Sequence, residues 1–567
     1  HNTRGDFYAH ASAGCLHLRP LINLKSLDGV HQLREIASQS VKLISQMGGV
    51  PSGEHGDGLA RSEWLEEVFG QKVGQAFREL KSSADPHGIL NPGKIVDPEP
   101  MDQHLRYGPG MGIQAWHPVM DFSRQSSLSG AIELCNGAGV CRKSEGIMCP
   151  SFQVTRDEMH STRGRANLLH AMLSGIPKDG EQISERDVFT ALDLCIACKG
   201  CKAECPSAVD LAKLKYEFLE QYYSKNFGHL HPVRDYLFAY LGDLSRLGDK
   251  FNPFTNLVLK YLNKTWFGES WLGLARQRNL PRLAQKRFHS LAKNNAGTAR
   301  KRDTRIYPVL LLSDPFTEYY QPEIGIHAME LLSAANCQVE IIPIIGSGRT
   351  LLSKGFVKAA QNHAQKVVDV INQLDPAQIA PIIGIEPSEI YTLRDEYLDL
   401  LPGRKDVESI AERAQMLEEF LIRPGADNHP RLLRIATNNY ASESQTQEIL
   451  YHGHCYQKTQ GPAKDGFPNG VQASIEMLEQ VGYKVELIDS GCCGMAGAFG
   501  YEAEHYPTSM QIGELKLFPA MRSVKSQQIC AASGFSCLSQ IRDGTGIIPQ
   551  HPISLVHKRI WPRDEII

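Results

Sequence analysis

The sequence predicts a multidomain chain of mixed α/β and α+β class, and three observations predict it. Its 567 residues are enough for three or four domains. Its fourteen cysteines fall mostly in two groups, seven between positions 135 and 205 and five between 455 and 537. The last part also repeats itself. Residues 329–348 lie over 475–494 without a gap, matching Glu330 with Glu476, Leu332 with Leu478, Val339 with Val485, Glu340 with Glu486 and Gly348 with Gly494. The expected order is an α+β part at 1–105 and an α-helical cysteine-bearing domain at 126–215. A helical connector (216–304), an α/β lobe (305–402), a helical linker (403–432) and a second α/β lobe (433–567) follow.

At the N-terminus "CLHLRPLINL" reads as strand and "LREIASQSVKLISQMGG" as a helix stopped by Gly-Gly. A Gly-rich turn, "PSGEHGDG", leads to a helical segment closed by "DPHGILNPGK". Residues 101–125 read as linker. The connector carries aromatic and Leu-rich helical patterns and the basic finish "ARKRDTR". A net charge of −3 gives no bulk attraction to nucleic acid. No apolar run approaches the ~18 residues of a membrane-spanning helix. The opening "HNTRGDFYAHASAG" has neither Met nor a signal-peptide layout, so a partial chain is expected. Clustered cysteines and Cys-Pro pairs point to metal or iron–sulfur ligation in a reducing compartment rather than to disulfides.

"CIACKGCKAECP" spaces Cys195, Cys198, Cys201 and Cys205 as C-x2-C-x2-C-x3-C-P, the run of bacterial ferredoxins, with a zinc knuckle as the alternative. "CNGAGVCRKSEGIMCP" offers Cys135, Cys141 and Cys149, with Ala138 where a further ligand would stand. If ligands are exchanged as in two-cluster ferredoxins, Cys149 completes the set of Cys195, Cys198 and Cys201. Cys135, Cys141 and Cys205 then hold a [3Fe–4S] centre, or a [4Fe–4S] cluster with one non-cysteine ligand, unless the first motif is vestigial. The C-terminal part supplies Cys455, Cys492, Cys493, Cys530 and Cys537. Adjacent cysteines between glycines suit one metal centre better than a bond to each other. Buried free thiols are the alternative. The repeat selects Cys537 over Cys530 as fourth ligand. It also shows that the first copy has Gly346 and Ser347 for the cysteine pair, with Glu389 at the place of Cys537. His10 and His17 flank a turn, and Glu54 and His55 follow, a donor set suited to zinc or manganese.

With these motifs together, "HASAGCLHLRPLINL", "GGVPSGEHGDGLARSEW" and "ADPHGILNPGK" resemble the C-terminal part of the FAD-linked 2-hydroxyacid dehydrogenases. The cysteine-rich middle resembles the ferredoxin-like segment fused to large bacterial members. The repeat resembles the paired CCG domains of the glycolate oxidase iron–sulfur subunit and of heterodisulfide reductase. The resemblance thus implies a partial FAD-linked oxidase cap, an α-helical ferredoxin-like two-cluster domain and two CCG lobes. It implies that His10, His17 and Glu54 ligate the divalent metal, His55 is the base, and Arg19 and Arg61 pair with substrate carboxylates. The implied activity is oxidation of a D-2-hydroxyacid, D-2-hydroxyglutarate first and D-lactate or glycolate as alternatives. FAD would be held by a half expected ahead of residue 1, and electrons would pass through [4Fe–4S] clusters to a quinone or carrier protein. The implied placement is cytoplasmic or peripheral to the inner face of the membrane, with a homo-oligomer allowed. The rivals are a heterodisulfide-reductase-like enzyme and a non-catalytic electron-transfer subunit.

Overall fold

The computed structural model describes residues 1–109, 116–175, 182–224, 228–295, 307–425, 428–439 and 447–562. It divides into two units, one of residues 1–114 with 174–176 and one of the remainder. The basic stretch 299–305 lies outside the described residues.

In the first unit, strands β1 (Gly5–His10) and β2 (Cys15–Pro20) form an antiparallel hairpin that sets Tyr8 opposite His17 and His10 opposite Cys15. Helix α1 (Leu27–Gln46) begins earlier than its apolar pattern suggests, because the Ser26 side chain accepts from Gly29 N and caps it. The Gly-Gly stop operates as expected, with Gly48 at positive φ and Gly49 N donating to Ile44 O. Helix α2 (Gln71–Ala84) ends at Asp85, whose carboxylate accepts from Ile89 N and Leu90 N and so folds the "DPHGILNPGK" turn.

The second unit begins with a packed strap rather than the expected linker. Met120 and Phe122 are buried, and Val119 N and Met120 N both donate to the Glu217 carboxylate. The segment has no period to betray it, since a buried side chain satisfies its backbone instead of a neighbouring strand or turn. Glu217 lies on α7 (Leu211–Tyr222), a helix that straddles the expected boundary at 215/216. Before it come α3 (Pro150–Thr155), α4 (Thr162–Ser174), α5 (Glu185–Asp193) and α6 (Gly200–Glu204), which frame the seven cysteines.

Two parallel sheets complete the unit. The first has the order β4-β3-β5-β6 from β3 (Tyr307–Leu311), β4 (Cys337–Ile341), β5 (Ile382–Gly384) and β6 (Ala414–Met416). The second has the order β8-β7-β9 from β7 (Gln447–His452), β8 (Tyr483–Leu487) and β9 (Ile529–Ala532). The repeat appears in the register, with Val309 opposite Val339 in one sheet and Ile449 opposite Val485 in the other. Residues 403–432 are not only a helical linker, because they contribute β6, the edge strand of the first sheet. A three-residue strand is too short to show an alternating pattern.

Candidate functional sites

In the first unit the hairpin and the "GEHG" turn bring three imidazoles together. Ring centroids are 4.8 Å apart for His10–His17, 4.8 Å for His17–His55 and 5.2 Å for His10–His55. Each ring offers one nitrogen within 4.8 Å of the others. Glu54 Oε2 lies 2.6 Å from His10 Nδ1 and 3.7 Å from His55 Nε2. His17 Nε2 is buried and makes no hydrogen bond, and burial with the neighbouring imidazoles and arginines pushes its pKa down. A neutral imidazole with an unpartnered buried nitrogen fits a divalent cation. His55, expected as a base, is thereby grouped with the two expected ligands. Arg61 donates to Gly56 O at 3.1 Å, and the Arg19 guanidinium lies 4.7 Å over the Tyr8 ring.

In the second unit the two cysteine runs interlock. Glu204, just before Cys205, accepts from Ile147 N and Met148 N, just before Cys149. A Cβ on Gly200 would stand 2.9 Å from Ile147 O, so only glycine permits this approach of the loops. Cys135, Cys141, Cys149, Cys195, Cys198 and Cys201 are buried and Cys205 is half-buried. Burial pushes the Cys149 thiol up to about 11 and those of Cys198 and Cys201 well above their ordinary value. Thiolates here need a cation, which suits a cluster. The start of α4 supplies donors to both sets, with Thr162 N 3.1 Å from Cys149 Sγ and Arg163 N 3.3 Å from Cys141 Sγ. Ala138 is exposed, and Arg163 Nη1 donates to Gly137 O beside it.

The third site lies where β7, the turn after β8 and α8 (Phe535–Thr545) meet. His452, Cys493 and Cys537 converge within 4.8 Å. Cys492 and Cys537 are pushed well up by hydrogen bonding to neighbouring thiols, Cys455 and Cys493 respectively, whereas Cys492, Cys537 and His452 push Cys493 down. Burial holds His452 and His454 at about 4, so both imidazoles are neutral near pH 7 and His452 can act as a ligand. Sequence reasoning gave His452 no role, although "HGHC" carries it just ahead of Cys455. Cys530 sits on β9 opposite Leu450 and outside the group.

The first repeat copy shows what stands at the places of the cysteines. Leu310 pairs with Ile382 as Leu450 pairs with Cys530, which puts Glu389 and Cys537 at corresponding places. Ser347 N and Oγ both donate to Glu389 Oε2 at 2.6 Å, joining the places of Cys493 and Cys537 by hydrogen bonds. A buried carboxylate held in this way leaves no soft donors for iron.

A cavity of 330 Å³ runs between the second and third sites, lined by Cys195, Ala197, Arg349, Cys455, Tyr456 and Cys493 among others. On its wall His505 bridges Asp193 (2.7 Å) and Glu502 (2.7 Å). Although burial opposes it, these carboxylates raise the His505 pKa from 6.5 to about 9. The bridge therefore stabilises fully below pH 6.5 and is lost as pH rises through about 9. His505→Gln should flatten the fall in melting temperature between those values, measured by thermal scans at stepped pH.

Residues 1–95 match the family described as FAD linked oxidases, C-terminal domain, and residues 134–210 match the 4Fe-4S dicluster domain. The chain is 28% identical over 598 residues to D-2-hydroxyglutarate dehydrogenase of Escherichia coli, covering 98% of this chain and 56% of the relative. It is 27% identical over 597 residues to the protein of that name in Pantoea ananatis, covering 98% and 55%. A subunit of the anaerobic glycerol-3-phosphate dehydrogenase of Escherichia coli is 23% identical over 329 residues, covering 57% of this chain and 76% of the relative. The chain thus spans about half the length of the curated dehydrogenases it matches. No described helix is long and apolar enough to cross a membrane.

Proposed function

We propose that this chain forms the substrate-metal and electron-transfer part of an FAD-dependent D-2-hydroxyacid dehydrogenase, with D-2-hydroxyglutarate as substrate. The observation that carries the reading is the presence, in one chain, of the His10/His17/His55 group with Glu54 beside it, two interlocking cysteine runs, and the buried group of His452, Cys493 and Cys537. When bound, a zinc or manganese ion would supply Lewis acidity, a flavin would take up the hydride and release its two electrons singly, and iron–sulfur clusters would relay them one at a time. His10, His17 and Glu54 hold the metal. His55, half exposed beside them, takes the proton of the substrate hydroxyl at its free ring nitrogen. Arg19 and Arg61 receive substrate carboxylates. Cys149, Cys195, Cys198 and Cys201 hold one cluster, and Cys135, Cys141 and Cys205 hold a three-iron centre or a cluster with one other ligand. Cys455, Cys492, Cys493 and Cys537 hold the third centre in the second CCG lobe, the first being structural. FAD belongs to the part of the longer relatives that this chain does not match, and a quinone or carrier protein receives the electrons.

The chain joined to an FAD-binding half should oxidise D-2-hydroxyglutarate with a dye acceptor, faster than D-lactate or glycolate at equal concentration. Preference for D-lactate would move the reading to that substrate, and turnover of none would contradict it.

A further inference from the structure

Tyr456 follows Cys455 directly, yet its side chain leaves the third site and reaches the second. Its hydroxyl donates to Ala197 O at 3.0 Å, and Ala197 is the residue before Cys198. Ala197 holds a left-handed backbone, φ 49°, which an alanine adopts only under constraint. That conformation, forced between Cys195 and Cys198, belongs to the loop whose carbonyl accepts this bond. Arg349 Nη2 approaches the same hydroxyl at 2.5 Å. Guanidinium donates only, and the Tyr216 hydroxyl lies farther off at 3.5 Å, so the tyrosine proton is directed to the Ala197 carbonyl at 3.0 Å. The Lys199 ammonium lies 5.0 Å from the Tyr456 ring centroid, held against Asp395 and Glu396 at 2.6 Å each. Tyr456 is 3% exposed, so its hydroxyl is withdrawn from bulk water. Arg349 stands one residue past the Gly348 that matches Gly494, so the copy that lacks the cysteines contributes the residue that fixes this bond.

From these contacts we infer that Tyr456 is a positioning residue for electron exchange between the second and third sites, with Arg349 fixing its hydroxyl. A route of covalent bonds with a single hydrogen bond joins Cys198 Sγ to Cys455 Sγ: Cys198 to the Ala197 carbonyl, then the Tyr456 hydroxyl, ring and main chain to Cys455. A centre held by Cys195, Cys198 and Cys201 would pass one electron to a centre held at Cys455, with no bond broken and the phenol keeping its proton. The inference rests on the proposal that both sites hold redox centres.

The test is rapid-freeze-quench EPR on the anaerobic, iron-loaded full chain, mixed with a substoichiometric one-electron reductant. Wild type should show the signal of the second site decaying into that of the third. Tyr456→Phe keeps the ring and should lose the fast phase of that decay while both centres keep their iron. Arg349→Met should slow it, and Arg349→Lys, which still donates, should restore most of it. A wild-type rate in Tyr456→Phe would overturn the inference. A wild-type chain with no signal from the third site would instead overturn the reading beneath it.

Discussion

Cys149→Ser leaves the chain folded and strips iron from the Cys195–Cys201 loop. Serine keeps an acceptor for Thr162 N, which now lies 3.1 Å from Cys149 Sγ, so the capped start of α4 survives. It removes the thiol that the proposed ligand exchange assigns to the second run, next to the interlocking of Glu204 with Ile147 and Met148. The remaining thiols of Cys198 and Cys201 are buried and pushed up, and without a cluster they stay protonated. EPR of the reduced variant should lack the signal of that centre, with iron content reduced. If the signal lost is instead that of the centre at Cys135 and Cys141, Cys149 belongs to its own run and the exchange is wrong.

Glu54→Gln should release the divalent metal. Glu54 touches His10 at 2.6 Å, so it acts either on the metal or through the orientation of that imidazole. Loss of even an outer partner of a ligand costs about 10- to 100-fold in affinity, and loss of a ligand costs more. Metal analysis after dialysis should find the variant depleted, and 2-hydroxyacid oxidation with an FAD-binding half should fall with it. His55→Gln separates the two roles open to that residue. As a base, its loss removes activity and leaves the metal, whereas its removal as a ligand empties the site. Full activity in either variant contradicts the proposed chemistry.

The cysteine runs were legible because their spacing is local, and a tight loop of fixed length aims its thiols wherever it is placed. The preference for Cys537 over Cys530 was legible through the repeat, since parallel strand register carries corresponding positions to corresponding places. The N-terminal imidazoles were legible as a turn pattern, but their grouping depends on the pairing of β1 with β2 and on a distant turn. His452 had no signal beyond its neighbourhood to Cys455, because its burial is a property of the finished sheet. The strap at 116–125 and the strand β6 went unseen for a shared reason. One is satisfied by the Glu217 side chain and the other is three residues long, so neither shows a period. Arg349 and Tyr456 were invisible because their meeting with Ala197 joins segments more than a hundred residues apart.

On the proposed reading this chain carries three metal-binding regions, two of them holding redox centres of iron and sulfide and one a divalent metal. Iron, acid-labile sulfide and divalent-metal analysis of the anaerobically purified chain, paired with EPR in the reduced and oxidised states, tests it most directly. The expected result is iron and sulfide in matching amounts, signals that Cys149→Ser and Cys493→Ser remove separately, and zinc or manganese that Glu54→Gln releases. Zinc at the cysteine sites with no sulfide and no EPR signal would contradict it.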